Sequence, residues 1–151
     1  WQYATTHRLP VLLHTGTTFV SQAPLECTLP RWIDNVARRF PEVKIIMAHL
    51  SHPYEGECVV TIRKHPNVYA DISALHYRPW QFFQSLHLVQ EYGVWHKLLF
   101  GTDFPFGPIS GIVNNLDRLG LSAEDARKLN RDNALFHIGK CHALILVPEV
   151  E

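Results

Sequence analysis

The chain has 151 residues, room for one domain with a hydrophobic core. Fourteen Lys and Arg balance fourteen Asp and Glu, which argues against a nucleic-acid or anionic-membrane partner recruited by bulk charge. No apolar run reaches the roughly 20 residues of a membrane helix, and Cys27, Cys58 and Cys141 form no CxxC pair, so neither a zinc knuckle nor a disulfide framework is indicated.

Reduced thiols in a cytoplasmic protein are the expectation. The opening "WQYATTHRLP" has no Met and no basic leader, and reads as the interior of a longer chain.

Four short apolar runs are each bounded by turn chemistry. "LPVLLH" covers Leu9 to His14, and "VKIIMAHL" covers Val43 to Leu50. "NVYADIS" covers Asn67 to Ser73, and "KLLFGTD" covers Lys97 to Asp103. The first, second and fourth are nearly continuous, as for parallel strands buried on both faces. The third is mixed and a weaker candidate for a central strand.

Helical patterns separate the runs. Thr28 to Phe40 places Trp32, Ile33, Val36, Ala37 and Phe40 on one face, with Thr28 as the expected N-cap ahead of Pro30. Gly56 to Pro66 puts Cys58, Val59 and Ile62 together and stops at His65-Pro66. Trp80 to Gly93 carries a wide apolar face and ends on a glycine. "GIVNNLDRLG" and "SAEDARKLNRDNALFHIG" read as two more helices, the second capped by Ser122. The closing "CHALILVPEVE" breaks that rhythm and receives no assignment.

Alternating strands and helices predict βα units and a parallel sheet. The run ends near His14, His49, Ser73 and Asp103 are spaced by 35, 24 and 30 residues. A (β/α)8 barrel of roughly 250 residues averages about 31 per unit. The expected fold is therefore α/β: a partial TIM barrel of about four consecutive units with closing helices, occupying 1–151 as one domain.

Ligands of parallel α/β sheets bind at the carboxyl ends of the strands. His14, His49 and Asp103 fall there. Each alone has a plainer role: His14 as a loop cap, His49 as a core histidine, Asp103 as a turn cap. Together, three ionisable groups at matched strand ends are costly to leave idle, and two imidazoles with a carboxylate suit a divalent metal, zinc in particular. Arg78 is a candidate clamp for a substrate carboxylate, in a loop shared with Tyr77 and Trp80. His52 reads as a solvated loop histidine ahead of the alternative, a partner supporting the site residues, and Asp71 as a partner of a ligand histidine or of nearby backbone. No GxGxxG, GxxxxGK[ST] or GxSxG occurs.

The segments "LPVLLHTG", "FPEVKIIMAHLSHP", "HPNVYADIS" and "KLLFGTDFPF", in this order, resemble the second half of the amidohydrolase-related family. This is the branch of aminocarboxymuconate-semialdehyde decarboxylase and related lactone hydrolases. "LNRDNALFHIG" is similar to that family's closing helix. The resemblance implies a distorted TIM barrel with one divalent metal, usually zinc. It implies His14 and Asp103 as metal ligands, and His49 and Asp103 as the catalytic pair that handles the proton of the metal's water. Arg78 and Trp80 are the expected substrate-binding residues. The water would attack a lactone, ester or amide carbonyl of a small substrate; the alternative is a metal-dependent decarboxylase.

The family's first strand carries a His-x-His pair, and no HxH occurs here. The resemblance therefore implies weak metal binding by this chain alone, and two open sheet edges that favour a homodimer. Two readings from other classes compete. One is a non-catalytic half barrel acting through oligomerisation; the other is a small doubly wound domain binding a ligand without metal.

Overall fold

The computed structural model describes residues 1–139 of the chain, so the run from Cys141 onward lies outside the described residues. A short helix α1 (Gln2–His7) leads into strand β1 (Val11–Leu13), followed by α2 (Arg31–Arg39) and β2 (Ile45–Met47). Next come α3 (Glu55–Lys64), β3 (Val68–Asp71), α4 (Pro79–Glu91) and β4 (Leu98–Leu99). Helices α5 (Ile109–Asp117), α6 (Ala123–Arg127) and α7 (Asn133–His137) close the described chain. A π-helical turn at Lys128–Asp132 joins α6 to α7, where the sequence pattern predicts one continuous helix.

The four strands form one sheet in the order β1-β2-β3-β4, every pair parallel. Val11 lies opposite Ile45, Ile45 opposite Val68, and Ala70 opposite Leu98. This in-line register brings the carboxyl ends of all four strands to one edge of the sheet.

Burial corrects two expectations. Strand β3 is buried at all four residues, so "VYAD" is a central strand despite its mixed composition. Strand β1 is an outer strand whose Leu12 is 55% exposed, so it is not covered on both faces. An apolar run specifies burial only where a neighbouring layer arrives to cover it.

Helix α2 also departs from its pattern. Ile33 and Ala37 are buried, but Trp32 is half exposed and its indole N–H donates to Glu26 O at 2.6 Å. Thr28 is not the N-cap. Its hydroxyl donates to Gly16 O and, at 3.0 Å, to Leu25 O, while Pro30 occupies the cap. The expected stops hold: α3 ends at His65, and Gly93, with φ 68°, follows α4. Ser122 caps α6 by accepting from Asp125 N at 3.0 Å.

The core runs between the sheet and α3 and α4, with Ile45, Met47, Ile62, Val68, Phe82 and Leu86 among its buried side chains. Beneath β4, buried Lys97 staples the amino end of the sheet. Its Nζ donates to the carbonyls of Pro66 (2.6 Å), His65 (3.1 Å) and Val68 (3.3 Å), and lies 4.4 Å from the centre of the Tyr69 ring. Among the described residues no helix is long and apolar enough to cross a membrane.

Candidate active site

A cavity of about 550 Å³ opens at the carboxyl ends of the strands. Its wall includes His14, His49, His52, Arg78 and Asp103, with Tyr77 and Phe82 among its aromatic side chains. The structure therefore brings His14, His49, Asp103 and Arg78 to one space. Trp80 is not part of that wall and is 75% exposed.

Each residue is carried by a constrained turn. His14 directly follows β1, and its Nε2 lies 3.0 Å from Thr17 O. The next turn presses onto the loop after β2. Thr15 Oγ1 donates to Ala48 O at 3.0 Å, and Ser51 Oγ donates to Thr15 Oγ1 at 2.8 Å. Gly16, with φ 103°, sits where an added Cβ would come within 2.2 Å of His52 O.

His49, Leu50 and Ser51 then follow one another at φ 61°, 46° and 56°. Ala74 and Asp103 have φ 60° and 62°. Left-handed backbone at residues other than glycine costs free energy and persists where surrounding bonds hold it. Five of the six such residues among those described lie on the loops after β2, β3 and β4, which marks this rim as the strained part of the fold.

Asp71 supplies the bonds that hold His49. Its Oδ1 accepts from His49 N at 3.0 Å, from Ser73 N at 2.9 Å and from Ser73 Oγ at 2.5 Å. Ser73 Oγ in turn lies 2.7 Å from His49 Nδ1. Because the Ser73 proton goes to the carboxylate, its oxygen accepts from Nδ1–H. Ser73 O, 3.2 Å from the same nitrogen, can accept only from Nδ1–H as well. This assigns the tautomer and leaves Nε2 as the ring nitrogen without a partner among the described residues.

The His14 and His49 rings are 5.2 Å apart, edge to face. Asp103 follows β4 on a turn closed by Phe106 N donating to Asp103 O at 2.9 Å. Behind this rim, burial pulls His76 below its ordinary pKa, while the Asp103 charge opposes that shift. His76 is buried with neither ring nitrogen hydrogen-bonded among the described residues, and its ring lies tilted by 39° against Tyr77, with centroids 4.1 Å apart.

The sequence pattern misplaces His52 as a solvated loop residue. Its side chain is only 11% exposed, and Nδ1 lies 2.7 Å from Glu55 Oε1. It places Ser73 at a strand end but gives it no role, because nothing local in "ADIS" encodes its contact with His49.

As metal donors, His14 and Asp103 supply one imidazole and one carboxylate, a chemistry that suits a borderline divalent cation. No group of three or more His, Cys, Asp and Glu among the described residues assembles a full ligand set. By donor chemistry His14 and Asp103 could contribute two ligands, where a catalytic zinc site uses about three.

Four parallel strands, each joined to helices, with a cavity at their carboxyl ends, correspond to part of a TIM-type barrel. The amidohydrolase family model matches residues 1–135, and the chain belongs to that family. A comparison with curated protein sequences finds no match.

Among solved structures, the chain is similar to an uncharacterized TIM-barrel protein from Bordetella bronchiseptica. The TM-score is 0.74 at 21% identity, over 91% of this chain and 48% of that one. It is similar to a Burkholderia multivorans amidohydrolase with bound zinc, at TM-score 0.64 and 14% identity, over 88% of this chain and 53% of the other. It is also similar to 5-carboxyvanillate decarboxylase from Sphingomonas paucimobilis, at TM-score 0.65 and 14% identity, over 90% and 51%. The chain spans about half the length of these structures, so the fold is a partial barrel.

Proposed function

We propose that this chain carries half of the active site of a metal-dependent hydrolase that cleaves a lactone, ester or amide bond of a small carboxylate. The observation that carries this is the convergence of His14, His49 and Asp103, from three strand ends, on one cavity. His14 and Asp103 would hold a divalent metal, zinc by the chemistry of the donors; zinc in the Burkholderia amidohydrolase supports that choice. Such a metal, when bound, makes a water nucleophilic near neutral pH.

The chain's own residues would do the rest. His49, with its tautomer set by Ser73 and Asp71, presents Nε2 as a base. Asp103 presents a second oxygen base on the same wall. Arg78 pairs with the substrate carboxylate. Phe82 and Leu75 exclude water from the inner wall of the cavity.

A second reading is a carboxy-lyase. The likeness to 5-carboxyvanillate decarboxylase and the place of Arg78 in the wall support it. Release of carbon dioxide, against uptake of water into the product, separates the two. The exposed free thiol of Cys27 supports a reducing, cytoplasmic setting.

Zinc titration of the purified chain tests the metal site. His14→Ala and Asp103→Ala should each weaken zinc uptake at least about tenfold, the effect of losing one of few ligands. Trp80→Ala should leave it unchanged. Uptake equal to wild type in both ligand variants overturns the assignment.

A further inference from the structure

The proposed reaction leaves one polar device of the cavity unused. Glu55, at the start of α3, is buried at 8% exposure. A single oxygen, Oε1, gathers three groups: His52 Nδ1 at 2.7 Å, Ser85 Oγ at 3.2 Å and Gln81 Nε2 at 3.3 Å. Gln81 and Ser85 belong to α4, so the carboxylate ties two helices to the loop after β2. The backbone of His52 is equally fixed. Its carbonyl accepts from Thr17 N at 2.6 Å and Thr17 Oγ1 at 3.0 Å, and its N–H donates to His49 O at 2.8 Å.

An ionised carboxylate only accepts hydrogen bonds. His52 must therefore present Nδ1–H to Glu55, and in the neutral ring Nε2 is an acceptor. That nitrogen has no partner among the described residues, and His52 is part of the cavity wall. With Nδ1 held by Glu55, Nε2 is the ring nitrogen that His52 can offer to a group in the cavity. The same wall carries a cation, Arg78.

We propose that His52, oriented by Glu55, is a specificity-determining residue that accepts a hydrogen bond from a hydroxyl group of the substrate, selecting hydroxyl-bearing carboxylates over plain ones. The inference rests on the reading of this cavity as the substrate pocket. A site shaped to hydrogen-bond a hydroxyl discriminates against the analogue that lacks it, because its acceptor is then left desolvated and unpaired. Glu55, which does not reach the cavity wall, acts through His52 as a positioning residue.

The test uses the 151-residue chain in EDTA, so that no metal can bind the hydroxyl. Benzoate and its 2-, 3- and 4-hydroxy derivatives serve as probes, with affinity read by NMR titration. At least one hydroxybenzoate should bind about tenfold or more tightly than benzoate, and should shift the His52 Nε2 resonance where benzoate does not. His52→Asn keeps a donor toward Glu55 but has nothing at the position of Nε2; it should erase the preference and spare benzoate binding. His52→Gln, which restores an acceptor there, should recover part of it. Equal affinity for all four probes, no binding of any, or a preference that survives His52→Asn overturns the inference. Zinc uptake, measured on the same preparations without EDTA, reports on the metal site separately. Intact uptake with no hydroxyl preference therefore refutes His52 alone.

Discussion

Ser73 Oγ stands 2.5 Å from Asp71 Oδ1 and 2.7 Å from His49 Nδ1, so one hydroxyl links a buried carboxylate to the imidazole on the next strand end. The same Asp71 oxygen also accepts from His49 N and Ser73 N. A single carboxylate thus holds both the left-handed backbone of His49 and the tautomer of its ring.

Asp71→Ala should therefore destabilise the fold by about 3 kcal/mol, since it orphans three donors in a buried setting. Ser73→Ala should cost about 1 kcal/mol and move the His49 ring nitrogen resonances, because only the weaker contact to Ser73 O remains. Urea unfolding and histidine-selective NMR read both. A loss below about 1 kcal/mol in Asp71→Ala would show that the strained turn holds itself.

Two glycines should respond in opposite directions. At Gly16 an added Cβ would lie 2.2 Å from His52 O on a backbone with φ 103°, so Gly16→Ala should cost about 2 kcal/mol or more. It should also disturb the hydroxyl preference assigned to His52. At Gly56 in α3 nothing lies within 4 Å of the added atom, and Gly56→Ala should gain about 0.5–1 kcal/mol from helix propensity. Similar melting shifts for both variants would contradict the close approach of the two loops.

Lys97→Met should cost about 2–4 kcal/mol, because three carbonyls lose their donor at the base of the sheet. Burial also pulls the Lys97 ammonium down from 10.5 to about 8. Between these values the unfolded chain binds more protons than the folded one, so this group adds stability as pH rises from 8 to 10.5. The contribution is fully present above 10.5 and lost as pH falls through 8. Unfolding curves across that window should rise more steeply in wild type than in Lys97→Met; parallel slopes would place the cation in solvent.

Cys58 shifts the other way. Complete burial pushes its thiol up from 9.0 to about 12, so its contribution is intact below pH 9 and is lost as pH climbs toward 12. Thiolate is the reactive form. At pH 8, Cys27 should be labelled by a thiol reagent in the native state, and Cys58 only after unfolding. Peptide mapping after a short pulse distinguishes them, and early label on Cys58 would refute its burial.

The order of the elements is legible in the sequence, and so is the gathering of His14, His49 and Asp103 at one end of the sheet. Continuous apolar runs such as Ile45-Ile46-Met47 select parallel strands, Gly93 and Ser122 mark helix ends, and the strand ends point to His14, His49 and Asp103. These are local signals, carried by residues within a few positions of one another. Contacts distant in the chain decided the rest. Ser73 reaches His49 across 24 residues and Gln81 reaches Glu55 across 26. No periodicity encodes either pairing. The exposure of Leu12 and Trp80 and the burial of the His52 side chain are likewise set by which surfaces meet once the sheet is formed. Burial, unlike hydropathy, is a property of neighbours, and the neighbours are chosen by the tertiary fold.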